Sequence, residues 1–281
     1  VEVKNDFAIC VFSFCRPHYL SQCIQSLGSQ YQPGPFDFHV FQDGHINKFS
    51  KREAASQLEI NKCIAIASKA PFLIKQLHVR DYNYGIGIQQ YEAYDWIAKH
   101  YRWALWLEDD VICSPYFVRI SRLLIPFLEK DPGAFSATPS FRLYSCTSEQ
   151  IKNELKHVEI GGSVWFGYLA DMSKWPQLKT KFDEYYGFVR DVDYRARPQQ
   201  EILEWFKACG WSGKGTSQDG GKEASLQFLK MRRYRLRVNR GMYVGEIGEH
   251  SKAELFNRQG WRSFAAYIHE TDREVNQLEL V

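Results

Sequence analysis

Through the first half of the chain, short apolar runs alternate with stretches whose apolar residues recur at three- and four-residue intervals. That alternation is the pattern of parallel strands joined by helices. Ala8 to Phe14 predicts a first strand, and Pro17 opens a helix with Leu20, Cys23, Ile24 and Leu27 on one face. Phe36 to Phe41 predicts a second strand, a helix follows around Arg52 to Ser68, and Phe72 to Val79 predicts a third strand. Gln89 to Lys99 reads as the helix before a strong apolar run beginning at Trp103. From Phe117 to Leu128 the helical period persists until Pro132 and Gly133 stop it. The second half is less regular. Strand-like pieces fall at His157 to Ile160, Ser163 to Ala170 and Arg235 to Val244, with helical pieces at Gln199 to Ala208 and near Glu223 to Arg233. The Gly-rich stretch from Gly210 to Gly221 reads as a mobile loop.

The expected fold class is therefore α/β, with a mostly parallel central sheet flanked by helices and a more irregular C-terminal half. No internal repeat or low-complexity linker divides the chain. One domain is expected over residues 1–281, with residues 1–111 and 112–281 as its two halves.

The Trp103 run changes the picture chemically. It reads W-A-L-W-L-E-D-D-V and ends in Glu108, Asp109 and Asp110, so a buried strand delivers three carboxylates to one edge. Adjacent acids raise one another's pKa and are costly to dehydrate without a cation or hydrogen-bond donors. A divalent Mg²⁺ or Mn²⁺ compensates such a group and leaves positions open for phosphate oxygens. The alternative is an acidic turn before a helix, with Ser114 as N-cap and Pro115 at the first helical position. Open α/β sheets bind ligands beyond the carboxyl ends of their strands. Arg16, Asp43, Arg80 and the 108–110 carboxylates all fall at such ends.

Composition narrows the class further. The chain has 281 residues, 44% of them apolar, enough for a substantial core. It has no run of about 18 apolar residues and no signal-like N-terminus, so a soluble protein is expected. Seven scattered cysteines without a C-x-x-C pair argue against a zinc site or a disulfide framework and suit a reducing cytosol. A net charge of +3 does not suggest nucleic acid as a partner. Lys230 to Arg237, K-M-R-R-Y-R-L-R, is a local basic cluster. It reads either as a helix end running into a strand or as a surface for an anionic acceptor, a diphosphate or a charged membrane.

Several segments, in order, resemble metal-dependent glycosyltransferases of the GT-A fold, most closely the N-acetylglucosaminyltransferase family that starts complex N-glycan branching and its bacterial relatives. They are V-F-S-F-C-R-P at Val11 to Pro17, F-Q-D-G-H at Phe41 to His45, K-H-Y-R-W-A-L at Lys99 to Leu105 and E-D-D-V at Glu108 to Val111. F-G-Y-L-A-D-M-S-K-W at Phe166 to Trp175 and Y-V-G-E-I-G-E-H-S at Tyr243 to Ser251 follow. The resemblance implies a UDP-sugar or other nucleotide-sugar donor, a saccharide or glycoconjugate acceptor, Mn²⁺ or Mg²⁺, and inversion at the transferred sugar. It gives Asp43 to the nucleotide base and Arg16 to the base or diphosphate; Arg80, from its place at a strand end, is grouped with them as donor-binding. Glu108 and Asp109 go to ribose or sugar hydroxyls, Asp110 to the metal, and His250 to metal or diphosphate. Asp219 takes the place of the general base, although the residues flanking it depart from the family's pattern and a longer segment precedes it. Asp191, Asp193 and Glu201 are rival bases, and a helix N-cap is the alternative role for Asp219. Trp165, Trp205, Trp211 and Tyr185 are candidates for a sugar-stacking platform or for core. The other readings are a sugar-phosphate nucleotidyltransferase, which would want a glycine-rich loop after the first strand, and a carbohydrate-binding module, which leaves the buried-strand acids unexplained.

Overall fold

The computed structural model describes residues 6–73, 75–139, 153–161, 165, 167–247, 254, 256, 272 and 275–281. Strand β1 (Phe7–Ser13) is buried along its whole length, and α1 (Pro17–Gly28) follows, with proline at its first turn. Strand β2 (Asp37–Gln42), α2 (Gln57–Ser68), β3 (Lys75–Val79), α3 (Ile86–Ala98) and β4 (Trp103–Glu108) complete the alternating half. Beyond β4 lie β5 (Val111–Cys113), the short α4 (Phe117–Leu123) and α5 (Ile125–Lys130), β6 (Ala134–Thr138), β7 (His157–Ile160) and β8 (Gly167–Asp171). Three longer helices come next: α6 (Trp175–Val189), α7 (Gln199–Ala208) and α8 (Gln218–Leu229). The chain closes with β9 (Arg232–Leu236), β10 (Gly241–Tyr243) and β11 (Glu279–Leu280).

Nine strands form one sheet in the order β11-β7-β9-β6-β8-β4-β1-β2-β3, in which β1, β2, β3 and β4 are all parallel. The expected α/β class is thus present. Alternation along each strand gives the two faces different partners. Phe7, Ile9, Val11, Leu105 and Leu107 pack against α1, α2 and α4, while Ala8, Cys10, Phe12 and Trp106 pack against α3, α6, α7 and α8. Chain order reverses between β1 and β4, and α1, which follows β1, and α3, which leads into β4, lie on opposite faces of the sheet. A crevice opens at such a reversal beyond the carboxyl ends of the strands. No helix among the described residues is long and apolar enough to cross a membrane.

Several expectations need correction. Helix α6 lies where no helix was read, although Trp175, Leu178, Phe182, Tyr185 and Val189 recur at helical spacing and are all buried. The Gly210 to Gly221 loop is partly helical, since α8 begins at Gln218. The Arg235 to Val244 strand is two strands: β9 joins the main sheet, and β10 pairs with β5 in a separate ribbon. Ser114 is not a helix cap, because α4 starts at Phe117 behind Tyr116. The basic cluster is neutralised from within. Arg232 pairs with Asp131, Arg233 with Glu223, Arg235 with Glu159, and Arg237 with both Glu154 and Glu159. Its four arginines are thus engaged in ion pairs.

A histidine pair, His39 buried and His78 half-buried, joins β2 to β3. His39 Nδ1 lies 3.2 Å from His78 Nε2, and His39 Nε2 lies 3.0 Å from the Tyr101 hydroxyl, which donates to Asp37 at 2.7 Å. One donor order satisfies every atom with both rings neutral: His78 to His39, His39 to Tyr101, Tyr101 to Asp37. Burial and the neighbouring ring push His39 down to about 4, and burial with Arg80 does the same to His78. A histidine whose folded pKa is depressed stabilises the fold above its unfolded pKa and loses that contribution as pH falls toward the folded value. His39, 1% exposed, should forfeit on the order of 3 kcal/mol as pH falls from about 6.5 to about 4. Asp43 and Asp110 shift in the opposite direction, so the comparison is made against His39→Gln. Urea midpoints across this window should fall more steeply in the parent than in the variant; equal slopes would rule out the histidine pair as the source.

Candidate active site

Register places the site. Ser13 pairs with Gln42 and Phe12 with Glu108, so the residues following β1, β2 and β4 emerge side by side. They line a cleft of about 710 Å³ together with Asn83, Gly85, Asp193, Tyr194, Gln218 and Tyr243. Arg16 comes from the end of β1 and the acids from the end of β4, so the two straddle the reversal point.

The guanidinium of Arg16 pairs with Asp109 and, at 2.6 Å, with Asp110 Oδ2. Burial alone would lower its pKa, but the fields of Asp109 and Asp110 hold it well above the usual range. Asp109 and Asp110 are 2% and 1% exposed. Asp109 Oδ2 and Asp110 Oδ1 are buried without a hydrogen-bond donor, and Asp110 Oδ2 has its ion-pair contact with Arg16. Burial pushes Asp110 up to about 6 against the opposing field of Arg16. Burial, then the charges of Asp110 and Asp219, push Glu108 well above the carboxylate range. These are the electrostatics of a site built for more positive charge than the chain supplies.

A hard divalent ion fits those oxygens. Among the described residues no three His, Cys, Asp or Glu side chains converge on one point. The chain therefore offers a partial shell, the kind Mg²⁺ or Mn²⁺ completes with water and phosphate oxygens. His250 lies outside the described residues.

The β5–β10 ribbon carries the C-terminal chain onto the acids. Tyr243 pairs with Val111, and Val244 N donates to the Asp110 carbonyl at 2.9 Å. A Cβ on Gly245 would sit 2.2 Å from Asp110 Oδ2, so only glycine lets the backbone pass there. Ile247 closes the strap: its carbonyl accepts from Arg16 at 3.3 Å, and its N–H reaches the Tyr19 hydroxyl at 3.4 Å.

Asp43 lines the cleft, but its role is corrected. Oδ1 accepts from Gly44 N and Tyr84 N at 3.1 and 3.0 Å, and Oδ2 from Asn83 Nδ2 and Gly85 N at 2.8 and 2.9 Å. A carboxylate has about four acceptor positions, so none remains for the N–H of a nucleotide base. Asp43 instead ties the 83–85 turn to the end of β2. Asp43→Ala strands those donors at a cost of about 1–3 kcal/mol for each that stays buried. A large fall in Tm is expected; an unchanged Tm with lost nucleotide binding would return Asp43 to the ligand. Arg80 is corrected likewise, for it pairs with Glu92 on α3 and lies over the Tyr84 ring at 4.8 Å, outside the cleft lining.

Asp219 occupies the first turn of α8, but Ser217 is the N-cap and accepts from Gly220 N. The cap role for Asp219 is therefore overturned. Its Oδ1 lies 2.9 Å from Lys222 Nζ, and its charge reaches Glu108. Of the rival bases, Asp191 has a 78% exposed side chain and pairs with Arg190, and Glu201 is exposed on the first turn of α7. Asp193 lines the cleft, but its oxygens are taken by Ser50, Arg52 and the amide of Arg195. The aromatic platform is core. Trp165 is packed edge-on to Tyr168, Tyr185 is stacked on Phe182 and Phe206, and Trp205 and Trp211 both pack against Phe206. Sequence reasoning missed Lys222, Tyr243 and Tyr194, whose hydroxyl donates to Gln218 Oε1 at 2.6 Å. The aromatic-glycine pattern around 243–248 was the only signal for the strap.

Neither a family model nor a curated protein matches the chain. Among solved structures it is similar to residues 1–349 of TarS from S. aureus, at TM-score 0.45 and 10% identity over 83% of this chain and 58% of that one. It is also similar to the Pyrobaculum calidifontis mannosyltransferase PcManGT, solved with GDP-Man and Mn²⁺, at TM-score 0.43 and 11% identity over 80% and 70%. The galactosyltransferase LgtC, in complex with donor and acceptor sugar analogues, superposes at TM-score 0.40 and 13% identity over 95% and 99%. Such loose superpositions transfer no activity. This chain spans under two thirds of the TarS structure.

Proposed function

We propose that the protein is a metal-dependent glycosyltransferase that moves a sugar from a nucleotide-sugar, a UDP-sugar above all, to a saccharide hydroxyl with inversion. The observation that carries this reading is the buried pair Asp109 and Asp110, each with one oxygen on Arg16 and one without a hydrogen-bond donor, at a cleft of nucleotide size at the reversal point of the sheet. Asp110 would hold the ion, with Asp109 beside it. The ion's contribution is to neutralise the departing diphosphate. Arg16 is placed to take one diphosphate oxygen as a charge-assisted donor. Glu108 lines the cleft beside them, within the same pocket, and its carboxyl can hydrogen-bond sugar hydroxyls. Asp219 takes the acceptor proton as the acceptor oxygen bonds to C1; the C1–phosphate bond breaks and its electron pair leaves with the diphosphate.

A nucleotidyltransferase fits less well, since no glycine follows β1 to wrap a triphosphate. A carbohydrate-binding module loses its support because its candidate aromatics are packed into the core. The test is a thermal-shift screen of UDP-, GDP-, CMP- and dTDP-sugars with and without Mn²⁺. Stabilisation by one nucleotide class that needs the metal supports the reading. No stabilisation by any nucleotide-sugar would overturn it.

A further inference from the structure

Helix α8 carries a lysine with no access to solvent. Lys222 is fully buried, with Nζ 2.9 Å from Asp219 Oδ1, 3.3 Å from the Tyr94 hydroxyl and 4.1 Å from the Trp165 ring centroid. The Tyr94 hydroxyl is itself hydrogen-bonded to that of Tyr168, whose ring lies 5.2 Å from the ammonium. Packing alone would be served by leucine or methionine here, because a dehydrated ammonium is tolerated only where a specific partner compensates it. Among the described residues Asp219 is the one carboxylate within ion-pair reach of Lys222. The pair is asymmetric. The lysine is sealed, whereas the Asp219 side chain is 34% exposed at the end of the helix that borders the cleft through Gln218. Lys222 and, at 3.5 Å, the Gln218 amide hold Oδ1, while Oδ2 has no hydrogen bond among the described residues. A carboxylate fixed through one oxygen and free at the other is suited to accept a proton at a defined place.

We propose that Lys222 is a positioning residue that acts through Asp219, clamping Oδ1 from the buried side so that Oδ2 meets the incoming hydroxyl. The proposal rests on the reading of Asp219 as the general base. In the transfer step the hydroxyl proton passes to Oδ2 as the acceptor oxygen bonds to C1 and the C1–phosphate bond breaks. Lys222 keeps its own proton throughout.

The experiment is a double-mutant cycle of Lys222→Met and Asp219→Asn in the full chain, reading kcat, donor KM and Mn²⁺-dependent stabilisation by the nucleotide-sugar. Lys222→Met should lower kcat by roughly ten- to a hundredfold, the scale of a misplaced catalytic group, with donor KM within about twofold. The double variant should be no slower than Asp219→Asn alone, since both changes act on one group. Lys222→Gln, which can still donate to Oδ1, should recover part of the loss, and it carries the same cycle if the methionine variant does not fold. Multiplicative losses, or parent-like kcat in Lys222→Met, would overturn the positioning role and leave Asp219 as the base. Parent-like kcat in Asp219→Asn would remove the base itself, and the proposal with it.

Discussion

Replacing Asp110 with asparagine abolishes Mn²⁺-dependent nucleotide binding and lowers turnover by roughly a thousandfold or more, while the metal-free protein stays as stable as the parent or becomes more so. The two halves of this expectation have one cause. Asp110 is an acid whose folded pKa, about 6, exceeds its ordinary 3.8. A raised value means that its stabilising contribution is present below about pH 4 and lost as pH rises through 6. At neutral pH the buried charge then costs on the order of 1–3 kcal/mol. Asparagine has nearly the same shape and no charge, so it removes that cost along with the ion's anchor. Arg16 keeps its pair with Asp109. Calorimetric titration of UDP with and without Mn²⁺, alongside a urea melt, reads both quantities. Retained metal-dependent binding in the variant would take the ion away from Asp110, and a collapsed melt would make the residue structural.

Asp219→Asn should cut kcat by roughly a hundredfold or more with donor binding nearly unchanged, because the amide cannot take a proton and, on the proposed function, the group serves the acceptor hydroxyl and not the diphosphate. The melting temperature should also fall. Asp219 is not the cap of α8, which is Ser217; it is the charge partner of buried Lys222. The amide oxygen still accepts from the ammonium but no longer compensates its charge. Kinetics are therefore measured well below the lowered transition, with a circular dichroism melt beside them. Full activity with a lowered Tm would make Asp219 purely structural, and a raised donor KM with unchanged kcat would move it to the nucleotide side.

How far the sequence could be read follows from the range of the physics involved. β1 and β4 are nearly continuous apolar runs and β2 carries Phe38, Val40 and Phe41, and the acids at the end of β4 stand out because burial and charge collide within three residues. Parallel strand order by itself puts Arg16 and the acids on one edge. What escaped depends on contacts between distant segments. The filling of Asp43 is done by Asn83, Tyr84 and Gly85, forty residues on, and nothing in F-Q-D-G-H announces it. The three-residue strands β5 and β10 are too short for a period to show, yet their pairing is what lays the 243–247 segment over Asp110. Helix α6 was different: its apolar spacing was readable, and the run of charged and aromatic residues between Lys179 and Tyr186 obscured it.

The guanidinium between Asp109 and Asp110 makes the chain its own competitor for cations. An ion bound at Asp110 Oδ2 would have to displace Arg16 from it, so its apparent affinity would fall short of what the bare carboxylates give. On the proposed function, a diphosphate would give Arg16 a new partner and lift that handicap. Metal and nucleotide would then be linked ligands, each raising the other's affinity by the same factor.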